Sequence, residues 1–395
     1  MNRAMNSFNL LRTPRIFFGN GQMHTLGEVI KPLGNSALLV TGSCWLRQSG
    51  LLDDIVKQCE QQSIRVEHAA AQGEPTTDFV DAAAARCRDN GVSVVVAIGG
   101  GSALDAGKAI AAMARHNGLA LSYLEGADAL RPTGAKIPFI AIPTTAGTGS
   151  EATSNAVLSI PGQNGLKKSL RHPDFVPDAA IIDPQLMVRC PPHVTAACGM
   201  DAFTQLLESY VSVKASPITD QLALSGLQTV RDHLDAAIFH GENIEARTGM
   251  AFAALMSGIT LANAGLGVVH GIAGVLGGLF SIPHGIVCAR LLPPAVKITI
   301  HLLRRVSPEH PSLKRYAVAG RIVTGNMEAP TTEGCDGLLS FIEALLQRLP
   351  ISSLRTFGVT TGDIDRIAAS SGNRNNPIEL SLDDIRRLLS EALDV

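Results

Sequence analysis

From Thr248 to Ala289 the chain carries no Asp, Glu, Lys or Arg. A helix that is apolar all round lies either in a protein core or in a membrane, so this run confines the fold to one of those settings. Thr260, Asn263, His270, Ser281, Pro283 and His284 interrupt it, glycines are dense within it, and no basic cluster flanks it. Those features favour helices buried in a soluble protein over membrane spans. Lys and Arg total 33 against 35 Asp and Glu, a formal net charge of −2. Without a basic excess to hold phosphate backbones or anionic lipid, neither nucleic acid nor membrane is expected as a partner. Met1 to Phe18 lacks the apolar stretch of a secretion signal, and the expected setting is cytoplasmic. The seven cysteines, Cys44, Cys59, Cys87, Cys190, Cys198, Cys288 and Cys335, include no C-x-x-C pair and read as reduced, mostly buried thiols.

A length of 395 residues implies two to three domains. The first half alternates strand and helix patterns. Ala37 to Thr41, Ile64 to Val66, Val92 to Ile98, Pro138 to Ile142 and Ala179 to Ile182 read as strands, with helices around Leu51 to Val56, over Asp78 to Asn90 and over Ala103 to His116. Val92 to Ile98 is apolar almost without break, as a central parallel strand is, so a parallel sheet covered on both faces is expected. After Pro191-Pro192 such runs vanish. Val194 to Val213, Thr219 to Phe239, Ile244 to Ala264, His270 to Phe280 and His284 to His301 follow with helical spacing, and Leu382 to Leu393 closes the series. The boundary between α/β and all-α falls near residues 185–192.

Gly99-Gly100-Gly101-Ser102 ends the best strand and opens a helix. Three glycines let backbone N–H groups approach a phosphate, and the helix N-terminus adds positive partial charge. The loop is not a Walker A motif: Gly101 to Gly107-Lys108 is one residue too long, and Ala109 stands where Ser or Thr belongs. Gly147-Thr148-Gly149-Ser150-Glu151-Ala152 forms a second glycine-rich turn after the strand at Phe139 to Ile142 and the dyad Thr144-Thr145. Two such loops at the carboxyl ends of parallel strands would face one crevice. In the helical half, Asp201 and Gln205 share a helix face, and His270 and His284 each precede a glycine within the uncharged run. An Asp with two His in so charge-poor a setting suits zinc or ferrous iron, with ordinary core histidines as the competing explanation.

Taken in order, Gly99-Gly100-Gly101-Ser102 with Asp105 and Lys108, Pro143-Thr144-Thr145-Ala146-Gly147-Thr148-Gly149-Ser150-Glu151, Gly199-Met200-Asp201-Ala202, Gly265 to Gly271, and Pro283-His284-Gly285 resemble the iron-containing (group III) alcohol dehydrogenases, from about Arg15 to Pro377. The resemblance implies a dehydroquinate synthase-like fold: an α/β dinucleotide-binding domain over 1–187 and an all-α metal and substrate domain over 188–395, with the active site between them. It implies that Gly99, Gly100, Gly101 and Ser102 hold the pyrophosphate, that Thr144, Thr145 and Ser150 line the nucleotide, and that Asp105 and Lys168 lie near the nicotinamide. It also implies a divalent metal, iron or zinc, on Asp201, His270 and His284, which are then the catalytic residues.

Three positions depart from that family. Gln205 stands where a third metal-binding His is usual, so an amide oxygen is the fourth candidate ligand. Gly274 stands where many members carry a further His, which opens the pocket and removes a proton relay. Gly42, followed by Ser43, replaces the Asp with which many NAD-preferring relatives hold the ribose, so NADP is expected to serve as well as NAD. The expected activity is an NAD(P)-dependent alcohol dehydrogenase or aldehyde reductase, acting on a small-molecule alcohol or aldehyde and assembled as a homo-oligomer, a dimer by analogy. The alternatives are a metal-independent reductase resembling maleylacetate reductases and a nucleotide-binding protein without turnover. A lyase resembling dehydroquinate synthase is disfavoured, because few Lys and Arg residues are available for a phosphorylated substrate.

Overall fold

The computed structural model describes residues 7–42, 45–126, 128–160 and 167–394; Ser43 and Cys44 lie outside them. Two compact units meet in sequence at Arg189 and Cys190. One comprises Leu11–Thr145 and Gly149–Arg189; the other comprises Cys190–Val395 together with Ala146–Thr148 and the chain up to Leu10.

The α/β unit runs β1 (Arg15–Phe18), α1 (Leu26–Ile30), β2 (Ser36–Thr41), α2 (Trp45–Gln48), α3 (Leu51–Gln61), β3 (Arg65–Ala70), α4 (Thr77–Asp89), β4 (Val94–Gly99), α5 (Gly101–Met113), β5 (Phe139–Pro143), β6 (Asn155–Ser159), β7 (Lys167–Arg171) and β8 (Ala179–Ile182). β1, β8, β5, β4, β2 and β3 lie side by side in that order, and every pair is parallel. Successive side chains of a strand face opposite sides, so an uninterrupted apolar strand needs cover on both. Val95 and Ala97 join Leu38, Val40, Phe139 and Ala141 against α4 and α5, whereas Val94, Val96 and Ile98 join Ala37, Leu39, Ile140 and Ile142 against α1 and α3. α5 presses close to the sheet at Gly107, where a Cβ would stand 2.6 Å from that of Ala97.

Three strands add to the sequence expectation. β1 is a short edge strand paired with β8, and β6 pairs antiparallel with β7 as a separate ribbon. The ribbon is fastened to α5 by a buried polar knot. Lys108, 1% exposed, donates to Ser150 O (2.9 Å), Ser150 Oγ (3.0 Å), Thr153 Oγ1 (2.8 Å) and Asn155 O (2.8 Å). Asp105 accepts from Ser150 Oγ at 2.5 Å and from Val157 N at 2.9 Å. Lys108 is therefore a structural lysine, its ammonium saturated inside the unit.

The helical unit contains α6 (Pro192–Val211), α7 (Pro217–Phe239), α8 (Ile244–Ala264), α9 (Val268–Leu279), α10 (His284–Val306), α11 (Pro311–Thr324), α12 (Thr331–Arg348), α13 (Ile364–Ser370) and α14 (Leu382–Asp394). α7 starts on a capping box between Ser216 and Thr219 with Pro217 at its first position, an N-terminal signal legible in the residues themselves. α6 packs against α7, α8 and α10, and α10 against α9, α12 and α14. The uncharged run thus becomes α8, α9 and the start of α10. By length and composition α10 could cross a membrane, as could α8 and α9 together but for a bend of 101° between them. Of the most apolar window of α10, 72% is buried inside the fold, so neighbouring helices supply the apolar surround.

Glu151, 2% exposed, sits beside the polar knot. Burial, the largest influence, pushes its carboxyl up to about 7, against the opposing pull of its own backbone N–H and of Lys108. Because the folded form holds this proton more tightly than the unfolded chain, the stability linked to it is full below about pH 4.5 and is lost as pH rises through about 7. Glu151→Gln keeps the shape without the ionisation. Urea unfolding followed across that range is expected to show a flatter pH dependence for the variant and greater stability than the parent above about pH 8; parallel curves would contradict this account of Glu151.

Candidate active site

In the α/β unit the expected nucleotide loop is built from three strand ends. Gly100 caps α5 without any side-chain hydrogen bond, and with Ala103 N donating to Gly100 O at 3.0 Å it is the N–H groups of Gly101 and Ser102 that can face an anion. Thr144 N donates to Gly99 O at 2.9 Å, so the end of β5 is tied to the end of β4. A Cβ on Gly99 would stand 2.6 Å from that of Ala103 and 3.3 Å from Gly42 N, and one on Gly100 would stand 3.3 Å from Thr145 Oγ1. Gly42, Gly99, Gly100, Thr144 and Thr145 therefore adjoin at the carboxyl ends of β2, β4 and β5, with Gly101 and Ser102 opening α5. Bare backbone at a helix start fits a pyrophosphate. Asp105 and Ser150 are engaged with each other in the polar knot. Lys168 stands on β7 opposite Leu158, with its Nζ beside Gly126.

The helical unit assembles a second constellation. Asp201, Gln205 and Glu208 lie at i, i+4 and i+7 on α6 and share one face, and all three are buried. His270 lies in the first turn of α9, and His284 opens α10. Glycines let these backbones approach. A Cβ on Gly285 would lie 2.1 Å from Ala197 O, one on Gly271 1.6 Å from Gly372 O, and one on Gly199 2.3 Å from Leu234 Cδ1. The glycine after each histidine is thus required by packing.

The donor atoms converge. His270 Nε2 is 3.3 Å and His284 Nε2 3.7 Å from Asp201 Oδ1, and Cys288 Sγ lies 3.7 Å and 3.6 Å from the two Nε2 atoms. The four ligand atoms all fall within 4.8 Å of one another, the spread expected around one bound ion. His270 Nδ1 meets Glu208 Oε2 at 2.7 Å, while Glu208 Oε1 accepts from Val269 N at 2.7 Å. A carboxylate behind the far ring nitrogen orients the imidazole and directs Nε2 toward an ion. His284, with 40% of its side chain exposed, is the most open member.

Electrostatics favour a cation here. Burial pushes the Asp201 carboxyl up, but His284, His270 and a hydrogen bond from Gln205 together outweigh it and hold the group below its usual value. Cys288, before burial and Asp201, governs His284 and raises it to about 9. Burial opposes charge on His270, yet Cys288, Asp201 and Glu208 raise it well above the ordinary imidazole value. The donor set of carboxylate, imidazoles and thiol suits a divalent transition metal.

Gln205 is held by hydrogen bonds within the site. Its Oε1 accepts from Ser257 Oγ at 2.8 Å, and its side chain hydrogen-bonds the Asp201 carboxylate. Sequence reasoning passed over Glu208 and Cys288. Both were findable by helical spacing, Glu208 two turns beyond Asp201 and Cys288 one turn beyond His284.

Family comparison agrees with this arrangement along the chain. Residues 13–184 match the iron-containing alcohol dehydrogenase family, and residues 195–393 match the C-terminal part of the Fe-containing alcohol dehydrogenase family. The NAD-dependent methanol dehydrogenase of Bacillus methanolicus is 30% identical over 98% of this chain and 100% of its own length. The 1-propanol dehydrogenase PduQ of Salmonella typhimurium strain LT2 is 32% identical over 98% of this chain and 100% of its own. A solved 1,3-propanediol oxidoreductase superposes with a TM-score of 0.89 at 30% identity, covering 98% of this chain and 100% of that one. The chain belongs to the iron-containing alcohol dehydrogenase family, oxidoreductases that act on alcohols.

Proposed function

We propose that this protein interconverts a small-molecule alcohol and its aldehyde or ketone with NAD(P), using a divalent metal held by Asp201, His270 and His284. The observation that carries this reading is the convergence of those three side chains on one point, with His270 fixed from behind by Glu208. When bound, the metal supplies Lewis acidity toward a substrate oxygen, and the nicotinamide carries the hydride. The chain's own part is placement. Gly99, Gly100, Gly101 and Ser102 offer backbone N–H groups to the pyrophosphate, and Thr144 and Thr145 border it. Glu208 keeps the His270 ring aimed, and the apolar walls of α8 and α9 limit water. At Gly274 nothing beyond its own helical turn lies within 4 Å of where a side chain would begin, which favours substrates bulkier than ethanol and proton exit through water. The thiols of Cys59, Cys87, Cys190, Cys198, Cys288 and Cys335 are in no disulfide among the described residues and fit a cytoplasmic setting, and the family resemblance alone supports a homodimer.

Enzyme stripped with a chelator is expected to lose alcohol-dependent NAD(P) reduction, and aldehyde-dependent NAD(P)H oxidation, by at least about a hundredfold, with recovery on adding Zn²⁺ or Fe²⁺. Undiminished turnover of stripped enzyme would favour the metal-independent reductase instead. Nucleotide binding without turnover on any alcohol or aldehyde, whatever metal is added, would favour a binding protein.

Among the described residues, a Cβ at Gly42 would meet only that of Ala103, at 3.7 Å, an ordinary contact. Gly42→Asp is therefore tolerated sterically and places a carboxylate where the 2′-phosphate of NADP would lie. The ratio of kcat/KM for NADPH to that for NADH is expected to fall on the order of tenfold or more. An unchanged ratio would place cofactor selection elsewhere.

A further inference from the structure

The family resemblance leaves Gln205 as the fourth candidate ligand, and the structure brings a different side chain into the cluster. Cys288 stands one helical turn after His284 on α10, its side chain fully buried, with Sγ at 3.6 to 3.7 Å from both Nε2 atoms. Its sulfur belongs to the same four-atom group as Asp201, His270 and His284. Gln205 has both ends of its amide in use, the oxygen on Ser257 and a hydrogen bond on Asp201.

Resting on the metal-dependent reading above, we propose that the fourth protein ligand is the Cys288 thiolate, and that Gln205 is a positioning residue that holds Asp201. The thiol proton leaves to solvent as the metal–sulfur bond forms. Asp201 and Cys288 then place two negative charges against one divalent ion, where an Asp with three neutral histidines places one. A thiolate is a softer donor than imidazole, so the site takes zinc or cobalt in preference to ferrous iron.

Cobalt reports this without recourse to activity. Full-length protein, stripped and loaded with Co²⁺, is expected to show thiolate-to-cobalt charge-transfer absorption in the near ultraviolet. Cys288→Ser is expected to lose that band and to bind Co²⁺ at least about tenfold more weakly. Gln205→Ala is expected to keep the band while binding more weakly, because only the support of Asp201 is gone. In the unmutated protein loaded with Zn²⁺, X-ray absorption is expected to find one sulfur at about 2.3 Å. Cobalt bound without the band, a band that survives in Cys288→Ser, or a zinc shell of nitrogen and oxygen alone would overturn the thiolate and leave the metal reading standing. Failure to take up either ion would overturn both.

Discussion

A buried carboxylate must be compensated, and in this protein the need falls on Asp201. It lies inside a helical unit in which α8 beyond Arg247, α9 and the first turn of α10 contribute no Lys or Arg, with a second buried carboxylate, Glu208, two turns away on the same face. Burying an unpaired charge costs several kcal/mol even after relaxation. The counter-charge available is on imidazoles, and His270 stands between the two carboxylates, 3.3 Å from one and 2.7 Å from the other. Protonated histidines answer the need in part; a divalent cation answers it directly. The low charge of the run fits the proposed site, since a stray basic side chain there would compete with the proposed metal for Asp201.

That convergence depends on helices approaching closer than side chains normally allow. Gly271 and Gly285 face carbonyl oxygens of Gly372 and Ala197 across gaps that a Cβ would close. Each glycine directly follows a histidine of the cluster, so the same contact that seats the backbone also aims the imidazole. In the α/β unit the glycines at the strand ends have another purpose. Gly99 clears Ala103 and Gly42, and Gly100 begins α5 without a capping side chain, which leaves N–H groups for a ligand.

Much of this was legible in the residues. The helix at Ile244–Ala264 and the strand at Ala179–Ile182 have the bounds that periodicity predicts, and the remaining expected elements shift by a few residues. β1 was not legible: Arg15–Phe18 is short, and its partner β8 begins at Ala179, so pairing is decided by tertiary structure. Nor was the β6–β7 ribbon, whose support comes from Asp105 and Lys108 on a different element. At the site, Asp201, His270 and His284 stood out because polar groups are rare in their setting. Cys288 did not, since a cysteine among apolar residues is most often a small hydrophobe, and what distinguishes it is the pair of ring nitrogens brought near it only on folding.

Crystals of the full chain, grown with Zn²⁺ and nicotinamide nucleotide and measured on both sides of the zinc absorption edge, test the central claim most directly. The account predicts one anomalous peak within bonding distance, about 2.0–2.3 Å, of Asp201, His270 Nε2 and His284 Nε2. No peak there, with both histidines hydrogen-bonded to Asp201 as a closed ion-pair cluster, would contradict it.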